Sequence, residues 1–524
     1  MFAWLTRLPL AVTLIGLGGI AMLVPAAHAT AIGEARTAEI FFFYSGLNLL
    51  LALFIGIALA GRKPGDGNES HLLGLLVLFV AQPFLFAMPF YQAIGNTTFL
   101  NAYAEMVSDL TTTGATMFDN PTRLSAPLHS WRAIVGWLGG LIILVGAIAV
   151  MAPMALGGFE LRRRPPVDEV IARGFVQITD KANLSHRVRM HAVRLFPAYT
   201  ALTLLLWALL LVAGDLPHVA MAHAMSTLST SGISPTGGLA GSGAGGLGEL
   251  LVAPFLIVAI SSLILTRDAT SDHPTDRLKA LRADPEIRLG LALVTLLPLF
   301  LFLRHFWGAY EIEGVDMSLI DGIGALWGSL FTVLSFLTTT GWESAAWADS
   351  QGWSGLQTPG LILIGLALIG GGVATTAGGA KLLRVVALYK HGARELGRLV
   401  HPHSVAGAGG DARHMRRRGA YMAWLFLMLM ALSLSLGMLG FALTGASFDD
   451  SLVLSVASLT TTGPLAGLAG AQPISYGALS DGSFTEGRPY YWCCVYIFCR
   501  SSAARDNKGN KRWLLINKTC KTLF

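Results

Sequence analysis

One pattern of hydroxyl residues and glycine occurs four times in this chain, as Ser108-Asp109-Leu110-Thr111-Thr112-Thr113-Gly114, Ser226-Thr227-Leu228-Ser229-Thr230-Ser231-Gly232, Ser335-Phe336-Leu337-Thr338-Thr339-Thr340-Gly341 and Ala457-Ser458-Leu459-Thr460-Thr461-Thr462-Gly463. The four glycines are 118, 109 and 122 residues apart. Each stretch follows a short, moderately apolar segment. This spacing is typical of a fourfold internal repeat, whereas one Thr-Gly stretch alone would indicate an ordinary turn between helices.

Long apolar runs surround these stretches. A helix needs about 20 mostly apolar residues to cross a bilayer. Nine runs meet this requirement, at about residues 8–27, 38–60, 71–94, 131–157, 195–213, 249–266, 288–304, 358–380 and 419–443. The first run also resembles a signal peptide, because Arg7 precedes it and Ala27-His28-Ala29 resembles a cleavage site.

The composition supports a membrane protein. Of the 524 residues, 53% are hydrophobic and 13% are charged, and the mean hydropathy is +0.59. Soluble globular domains contain about 25% charged residues. These values exclude a soluble enzyme and a nucleic-acid-binding protein, and the apolar fraction is too high for a disordered chain.

The charge distribution predicts the orientation of the chain. The four segments that contain the repeated pattern, 95–132, 214–247, 305–356 and 441–478, carry two basic and twelve acidic residues. The segments 159–194, 267–288 and 384–418 carry eight, five and eight Lys or Arg. Because basic loops stay in the cytoplasm, we expect the Thr-Gly stretches to face outward. The acidic excess there would concentrate cations at the mouth.

Four loops of this kind can form an ion pathway. Non-helical backbone at membrane depth must be buried in protein or line a water-filled cavity. Carbonyl oxygens from four loops on a common axis could replace the hydration shell of a cation, and the C-terminal end of each preceding short helix would favour a positive charge there. Thr hydroxyls could add oxygen ligands or brace the loops. Oxygen ligands suit an alkali metal ion rather than zinc or copper.

These four motifs resemble the selectivity-filter loops of the Trk/Ktr/HKT superfamily of potassium transporters, and in particular those of the bacterial TrkH-type subunits. The resemblance extends from about residue 1 to residue 480. It implies an all-α polytopic protein of the bacterial inner membrane, with two extra N-terminal helices before four pseudo-repeats of helix, pore loop and helix around a central pore. It also implies a homodimer, contact with membrane lipid, and a cytoplasmic TrkA-like ring that binds nucleotide and controls the gate. No cofactor and no nucleic acid are expected.

The resemblance assigns potassium binding to the last three residues of each motif, since a filter glycine in all four loops accompanies potassium preference in the superfamily. The expected filter residues are Thr112, Thr113, Gly114, Thr230, Ser231, Gly232, Thr339, Thr340, Gly341, Thr461, Thr462 and Gly463.

A second glycine-rich stretch lies within the run 358–380 and reads Ile369-Gly370-Gly371-Gly372-Val373-Ala374-Thr375-Thr376-Ala377-Gly378-Gly379-Ala380-Lys381. Five glycines and two threonines form a helix poorly. In TrkH-like proteins this position is an intramembrane gate loop below the filter, which would comprise Gly370, Gly371, Gly372, Thr375, Thr376, Gly378, Gly379 and Lys381. The alternative is an unbroken helix whose small residues allow close packing.

We divide the chain into two N-terminal helices (1–66), pore repeats at 67–165, 190–268 and 285–395, an incomplete fourth repeat (415–480) and a divergent tail (481–524). The tail contains all four Cys, and seven Lys or Arg fall in the last 25 residues. Its longest apolar stretch, Tyr490–Cys499, is too short to span a membrane. A final helix carrying a gate arginine is expected from the superfamily but is missing, which indicates a shifted reading frame or a divergent end. A metal or redox role for the Cys is the alternative, although their spacing matches no zinc pattern.

Other residues give weaker signals. Asp109 and Glu343 adjoin Thr-Gly stretches, where either could lie at the pore mouth or brace a loop. We interpret His218 and His223 as structural. An enzyme would need clustered His, Asp or Glu, which the sequence does not offer. A transporter coupled to protons or sodium would need an ionisable residue near the membrane midplane, and no good candidate occurs inside the predicted spans.

Overall fold

The computed structural model describes residues 10–59, 68–118, 120–152, 184–261, 281–309, 319–354, 359–400 and 417–471, and within these ranges the chain is helical without β-strands. The helices in chain order are α1 (Leu10–Ala21), α2 (Leu23–Ile32), α3 (Ala35–Leu59), α4 (Asn68–Ile94), α5 (Phe99–Leu110), α6 (Ala126–Gly146), α7 (Leu184–Val212), α8 (Pro217–Ser229), α9 (Gly245–Leu256), α10 (Pro285–Ala309), α11 (Leu319–Leu337), α12 (Trp347–Ser354), α13 (Pro359–Ile369), α14 (Leu382–Val400), α15 (Arg417–Leu443), α16 (Phe448–Leu459) and α17 (Leu465–Leu468).

Six described helices are long and apolar enough to cross a membrane, namely Val12–Ile32, Ala35–Leu59, Ala126–Met151, Arg187–Val212, Pro285–Arg304 and Ala420–Leu443. Three other predicted spans contain shorter apolar helices, namely Leu78–Ile94, Gly245–Ala259 and Gly360–Ile369. The run 358–380 is not one continuous helix, because α13 ends at Ile369. The predicted tail, 481–524, lies outside the described residues.

The N-terminal helices pack against the first repeat, where α2 contacts both α3 and α6. The helical run ends at Ile32 rather than at the predicted residue 27. Ala29, the last residue of the signal-peptide-like site, and Ala26, which precedes the site, are completely buried. The His28 ring is also hydrogen-bonded to the Ser130 hydroxyl at 2.9 Å. This segment is therefore part of the packed structure.

Each repeat has a short helix that precedes the Thr-Gly stretch. These short helices are α5, α8, α11 and α16. Two of them begin at a side-chain cap, because the Thr98 and Ser447 hydroxyls accept hydrogen bonds from the N–H groups of Asn101 and Asp450. A proline in the first turn begins α8.

The repeats contact one another in chain order. The second helix of the first repeat, α6, packs against the short helix α8 of the next repeat. In the same way α9 packs against α11, and α13 packs against α16. The four short helices thus lie in the centre, whereas large apolar side chains remain exposed on the long helices, for example Phe43, Phe54 and Phe300. Such exposure suits a lipid environment.

Candidate functional site

All four short helices end with the same backbone geometry. The residue two positions before each glycine lies in the left-handed region, with φ of 58° at Thr112, 52° at Thr230, 57° at Thr339 and 55° at Thr461. The next residue donates its N–H to a helix carbonyl five residues back, and these bonds are Thr113 to Ser108 at 2.8 Å, Ser231 to Ser226 at 3.0 Å, Thr340 to Ser335 at 2.9 Å and Thr462 to Ala457 at 2.9 Å. Left-handed backbone is strained for a β-branched residue. Its occurrence in all four repeats indicates a functional constraint.

The four Thr-Gly stretches form a closed ring in chain order. A Cβ atom on Gly114 would overlap the Ser231 carbonyl oxygen, and one on Gly232 would overlap the Thr340 carbonyl oxygen. A Cβ atom on Gly341 would lie 3.1 Å from the Pro464 ring. The circle closes where the Gly463 N–H donates to the Thr113 carbonyl at 2.7 Å.

The fourth stretch differs from the other three at its glycine. Gly114, Gly232 and Gly341 have φ between 66° and 81°, whereas Gly463 is not in the left-handed region and precedes Pro464. A left-handed backbone angle, which favours glycine in the other three stretches, is therefore not what favours glycine at position 463. There the reason is space, because a Cβ atom would overlap Ala115.

The hydroxyl groups next to the glycines brace the loops. In each repeat the hydroxyl one position before the glycine is hydrogen-bonded to the hydroxyl two residues earlier, and these pairs are Thr111–Thr113 at 2.8 Å, Ser229–Ser231 at 3.0 Å, Thr338–Thr340 at 3.2 Å and Thr460–Thr462 at 3.2 Å. The earlier hydroxyl of each pair also donates to a carbonyl of its own short helix. The sequence allowed either bracing or ligation for these hydroxyls, and their contacts are those of braces.

A second set of braces lies nine residues before the glycine in three repeats. Glu105 accepts the Met117 N–H at 2.6 Å. Thr332 accepts the Ser344 N–H at 3.3 Å, and the His223 ring is hydrogen-bonded to the Ser234 hydroxyl at 2.8 Å. These bonds tie each short helix to the chain beyond its own glycine. Glu105 and Thr332 were not among the residues expected from the sequence, although a carboxylate within an apolar segment was a usable signal.

One further carboxylate connects two repeats. Glu249 of α9 accepts the Ala345 N–H and the Ser344 hydroxyl, both at 2.6 Å. It also accepts the Trp327 indole N–H at 3.1 Å. Glu249 is 1% exposed. Because water does not reach its carboxylate, these three hydrogen-bond donors stabilise the negative charge. The second repeat therefore fixes the chain that follows the third Thr-Gly stretch.

The ring forms the floor of a cavity of about 490 Å³. All four glycines line this cavity, and so do Glu343 and Arg132. Of the two carboxylates that the sequence offered for the pore mouth, Glu343 lines this cavity and Asp109 does not. Asp109 is completely buried and lies 3.7 Å from the Arg132 Nε, while Glu105 is 2.6 Å from the same guanidinium group.

The glycine-rich stretch between α13 and α14 is a loop on the opposite side of the ring. It contacts all four repeats. The Gly378 N–H donates to the Thr339 hydroxyl at 2.7 Å, and Thr376 donates to the Leu228 carbonyl at 3.4 Å. A Cβ atom on Gly378 would overlap the Thr460 carbonyl. Val373 and Ala374 pack against the π-helical end of the first repeat, Ala147–Met151. The loop thus lies beneath the centre of the ring.

Three carbonyl or carboxylate groups hold the ends of this loop. Glu286 of α10 accepts the Val373 N–H at 2.8 Å, and the Ala259 carbonyl accepts the Gly372 N–H at 3.0 Å. At the other end the Lys381 ammonium group donates to the Ala377 carbonyl. The unbroken helix that was the sequence-based alternative does not form, although the glycines of the loop do make close backbone contacts.

This chain is similar in sequence to several known proteins. The Trk system potassium uptake protein TrkH of Vibrio parahaemolyticus is 30% identical over 404 residues, which are 75% of this chain and 76% of that protein. TrkH of Salmonella typhimurium is 28% identical, with 77% and 79% coverage, and TrkG of Escherichia coli is 27% identical, with 74% of each covered.

The crystal structure of the potassium transporter TrkH from Vibrio parahaemolyticus has the same fold, with a TM-score of 0.72, 23% identity and 96% of both chains covered. No family model matches the sequence.

Proposed function

This chain belongs to the TrkH family of Trk-system potassium uptake proteins, and we propose that K⁺ crosses the membrane through the ring of its four Thr-Gly stretches. It is a multi-pass membrane transporter rather than an enzyme. The observation that carries the proposal is the closure of the ring in chain order, from Gly114 through Gly232 and Gly341 to Gly463 and back to Thr113.

The chemistry of the ring supports K⁺ as the transported ion. Each short helix directs its C-terminal, partially negative end toward the ring. The side-chain hydroxyls next to the glycines are hydrogen-bonded behind the backbone, which leaves backbone carbonyls as the ligands for a dehydrated cation. The proposed filter is formed by Thr112–Gly114, Thr230–Gly232, Thr339–Gly341 and Thr461–Gly463.

We assign the gate to the loop 370–381, with Gly370, Gly371, Gly372, Thr375, Thr376, Gly378, Gly379 and Lys381 as its residues. Support comes from its contacts with all four repeats on the side of the ring opposite the cavity. A passing ion has to displace this loop. The loop is continuous with α14, whose first N–H, that of Leu382, donates to the Gly371 carbonyl at 3.0 Å.

A cytoplasmic partner would act on the gate through α14. We propose a TrkA-like nucleotide-binding ring for this role and a homodimer for the transporter, placed in the bacterial inner membrane. The basic segments on the cytoplasmic side offer a docking surface for such a ring, although anionic lipid headgroups would bind them as well.

Rubidium uptake by a host that lacks its own potassium uptake systems tests the proposal. We expect saturable uptake of ⁸⁶Rb⁺ that potassium suppresses and sodium suppresses weakly. Uptake should persist without a proton or sodium gradient, since the membrane potential alone provides about 2.3 kcal/mol per charge for each 100 mV. Uptake that vanishes when those gradients are collapsed at constant potential would instead indicate a coupled transporter. Equal suppression by sodium would refute the filter.

A further inference from the structure

The cavity above the ring borders all four glycines of the ring, which line its floor. An ion that enters the filter from outside therefore passes through this cavity first. Its walls are largely apolar or backbone, and the charge that they present determines which ions collect there.

Two charged side chains line the cavity among the described residues, Arg132 and Glu343. The positive charge of Arg132 is compensated, since Glu105 lies 2.6 Å and Asp109 lies 3.7 Å from its guanidinium nitrogens. Both carboxylates are completely buried. The Arg132 cluster hence adds no net positive charge, and Glu343 supplies the charge that faces the cavity.

The backbone on both sides of Glu343 is held firmly. The N–H of Trp342 donates to the Ser335 hydroxyl at 2.6 Å, and the next two residues, Ser344 and Ala345, are bound to Glu249. The backbone around Glu343 is therefore held in place by Ser335 and Glu249. The Glu343 carboxylate itself is half-buried and makes no hydrogen bond or ion pair with the part of the chain that the structure describes.

We propose that Glu343 forms a cation-recruiting site in the outer cavity, which takes a hydrated alkali cation before the cation loses water in the filter. The inference rests on the proposed function of the ring. A hydrated monovalent ion needs no fixed ligand cage at this stage. One uncompensated carboxylate at a partly enclosed mouth raises the local cation concentration and the rate of entry. The site would favour cations over anions without selecting potassium over sodium.

Binding of ⁸⁶Rb⁺ to the purified full-length protein tests this inference without requiring transport. At low ionic strength, Glu343→Gln should raise the half-saturating Rb⁺ concentration by about three- to tenfold, as expected for the loss of one charge acting across a partly hydrated cavity. Added choline chloride should reduce the difference, because salt screens such interactions. Glu343→Asp keeps the charge and should bind Rb⁺ nearly as the unaltered protein does.

The matched control is Asp449→Asn, which removes an acidic charge from the exposed start of α16, away from the cavity. It should leave Rb⁺ binding unchanged. Equal binding by Glu343→Gln and the unaltered protein at low ionic strength would overturn the inference, and so would an equal loss in Asp449→Asn.

The two proposals fail in different ways. If the ring is no filter, the unaltered protein binds Rb⁺ without preference over Na⁺, whatever residue 343 is. If Glu343 recruits no cations, the preference is retained and the Glu343→Gln curve coincides with the unaltered one. A lower melting temperature of Glu343→Gln with unchanged Rb⁺ binding would mean that Glu343 is a structural residue.

Discussion

The backbone N–H of Gly378 donates a hydrogen bond to the Thr339 hydroxyl at 2.7 Å. This bond joins the loop beneath the ring to a residue of the ring itself, and Thr339 has the left-handed backbone shared by all four repeats. The filter and the gate that we propose are thus in direct contact. Displacement of the loop must break this bond, so the state of the gate can influence the third Thr-Gly stretch.

Shortening the loop tests its role as the gate. Deletion of three residues between Gly372 and Gly378 should raise Rb⁺ flux several-fold and make it less dependent on the cytoplasmic partner, because less backbone fills the space under the ring. If the loop serves only close packing, the deletion should lower both flux and dimer content. Flux and oligomeric state are measured on the same preparation, and a three-residue deletion within 404–411 is the control.

Substitution of the ring glycines by serine should weaken potassium selectivity. Gly114→Ser and Gly232→Ser place a side chain against a neighbouring carbonyl and should have the largest effect. Gly341→Ser meets only the edge of the Pro464 ring and should be milder. We expect the preference for Rb⁺ over Na⁺ to fall about tenfold in the severe variants, which corresponds to about 1.4 kcal/mol.

Gly467 provides the control for this series. It lines the same cavity, yet a Cβ atom there has no neighbour within 4 Å. Gly467→Ser should therefore retain the selectivity of the unaltered protein. Sodium competition against ⁸⁶Rb⁺ uptake provides the measurement, and unchanged competition in all three ring variants would exclude the ring as the filter.

Removal of Arg132 should destabilise the first repeat. Arg132→Met leaves the buried Glu105 and Asp109 without their cation, and breaking a buried ion pair costs about 3–5 kcal/mol. Thermal melting in detergent should show a clearly lower melting temperature. Glu105→Gln in the same chain should recover part of the loss, because one buried charge is then removed. Arg123→Met, which loses a partly exposed hydrogen bond to Asn96, should have a smaller effect.

Acid should remove a stabilising interaction on the outer side of the second repeat. Burial raises the pKa of the Asp215 carboxyl, but its contact with His223 and its hydrogen bond from the Ala244 N–H outweigh burial and hold that pKa below the usual range. A carboxyl whose pKa is lowered in the folded state stabilises the fold at pH values above its pKa in the unfolded state, which is about 3.9. This stabilisation is lost as the pH falls through the lower pKa that the carboxyl has in the folded state.

Asp215→Asn should consequently lower the melting temperature at neutral pH. The difference from the unaltered protein should shrink below about pH 4, where the unfolded carboxyl is protonated. Melting curves between pH 7 and pH 3 give this comparison. A difference that stays constant across the range would show that the ionised form of Asp215 does not contribute.

The membrane character, the four repeats and the position of the ring residues could be predicted from the sequence. These features depend on local composition and on spacing along the chain, which a linear sequence displays directly. The boundaries given for the repeats and the nature of the tail stay predictions. The position of the Gly-rich interruption in the helical run was also indicated by the sequence, since glycines in a row disfavour a helix wherever they occur.

The roles of individual side chains depend on how the helices pack and could not be predicted from the sequence. Asp109 and Glu343 each adjoin a Thr-Gly stretch, yet Asp109 is buried beside Arg132 and Glu343 faces the cavity. Glu249 binds Ala345 across 96 residues of chain, and the Gly463 N–H reaches Thr113 in the first repeat. Such contacts depend on how distant helices pack, because a carboxylate or a hydroxyl accepts a hydrogen bond from whichever donor the fold brings near, and sequence separation does not reveal that donor.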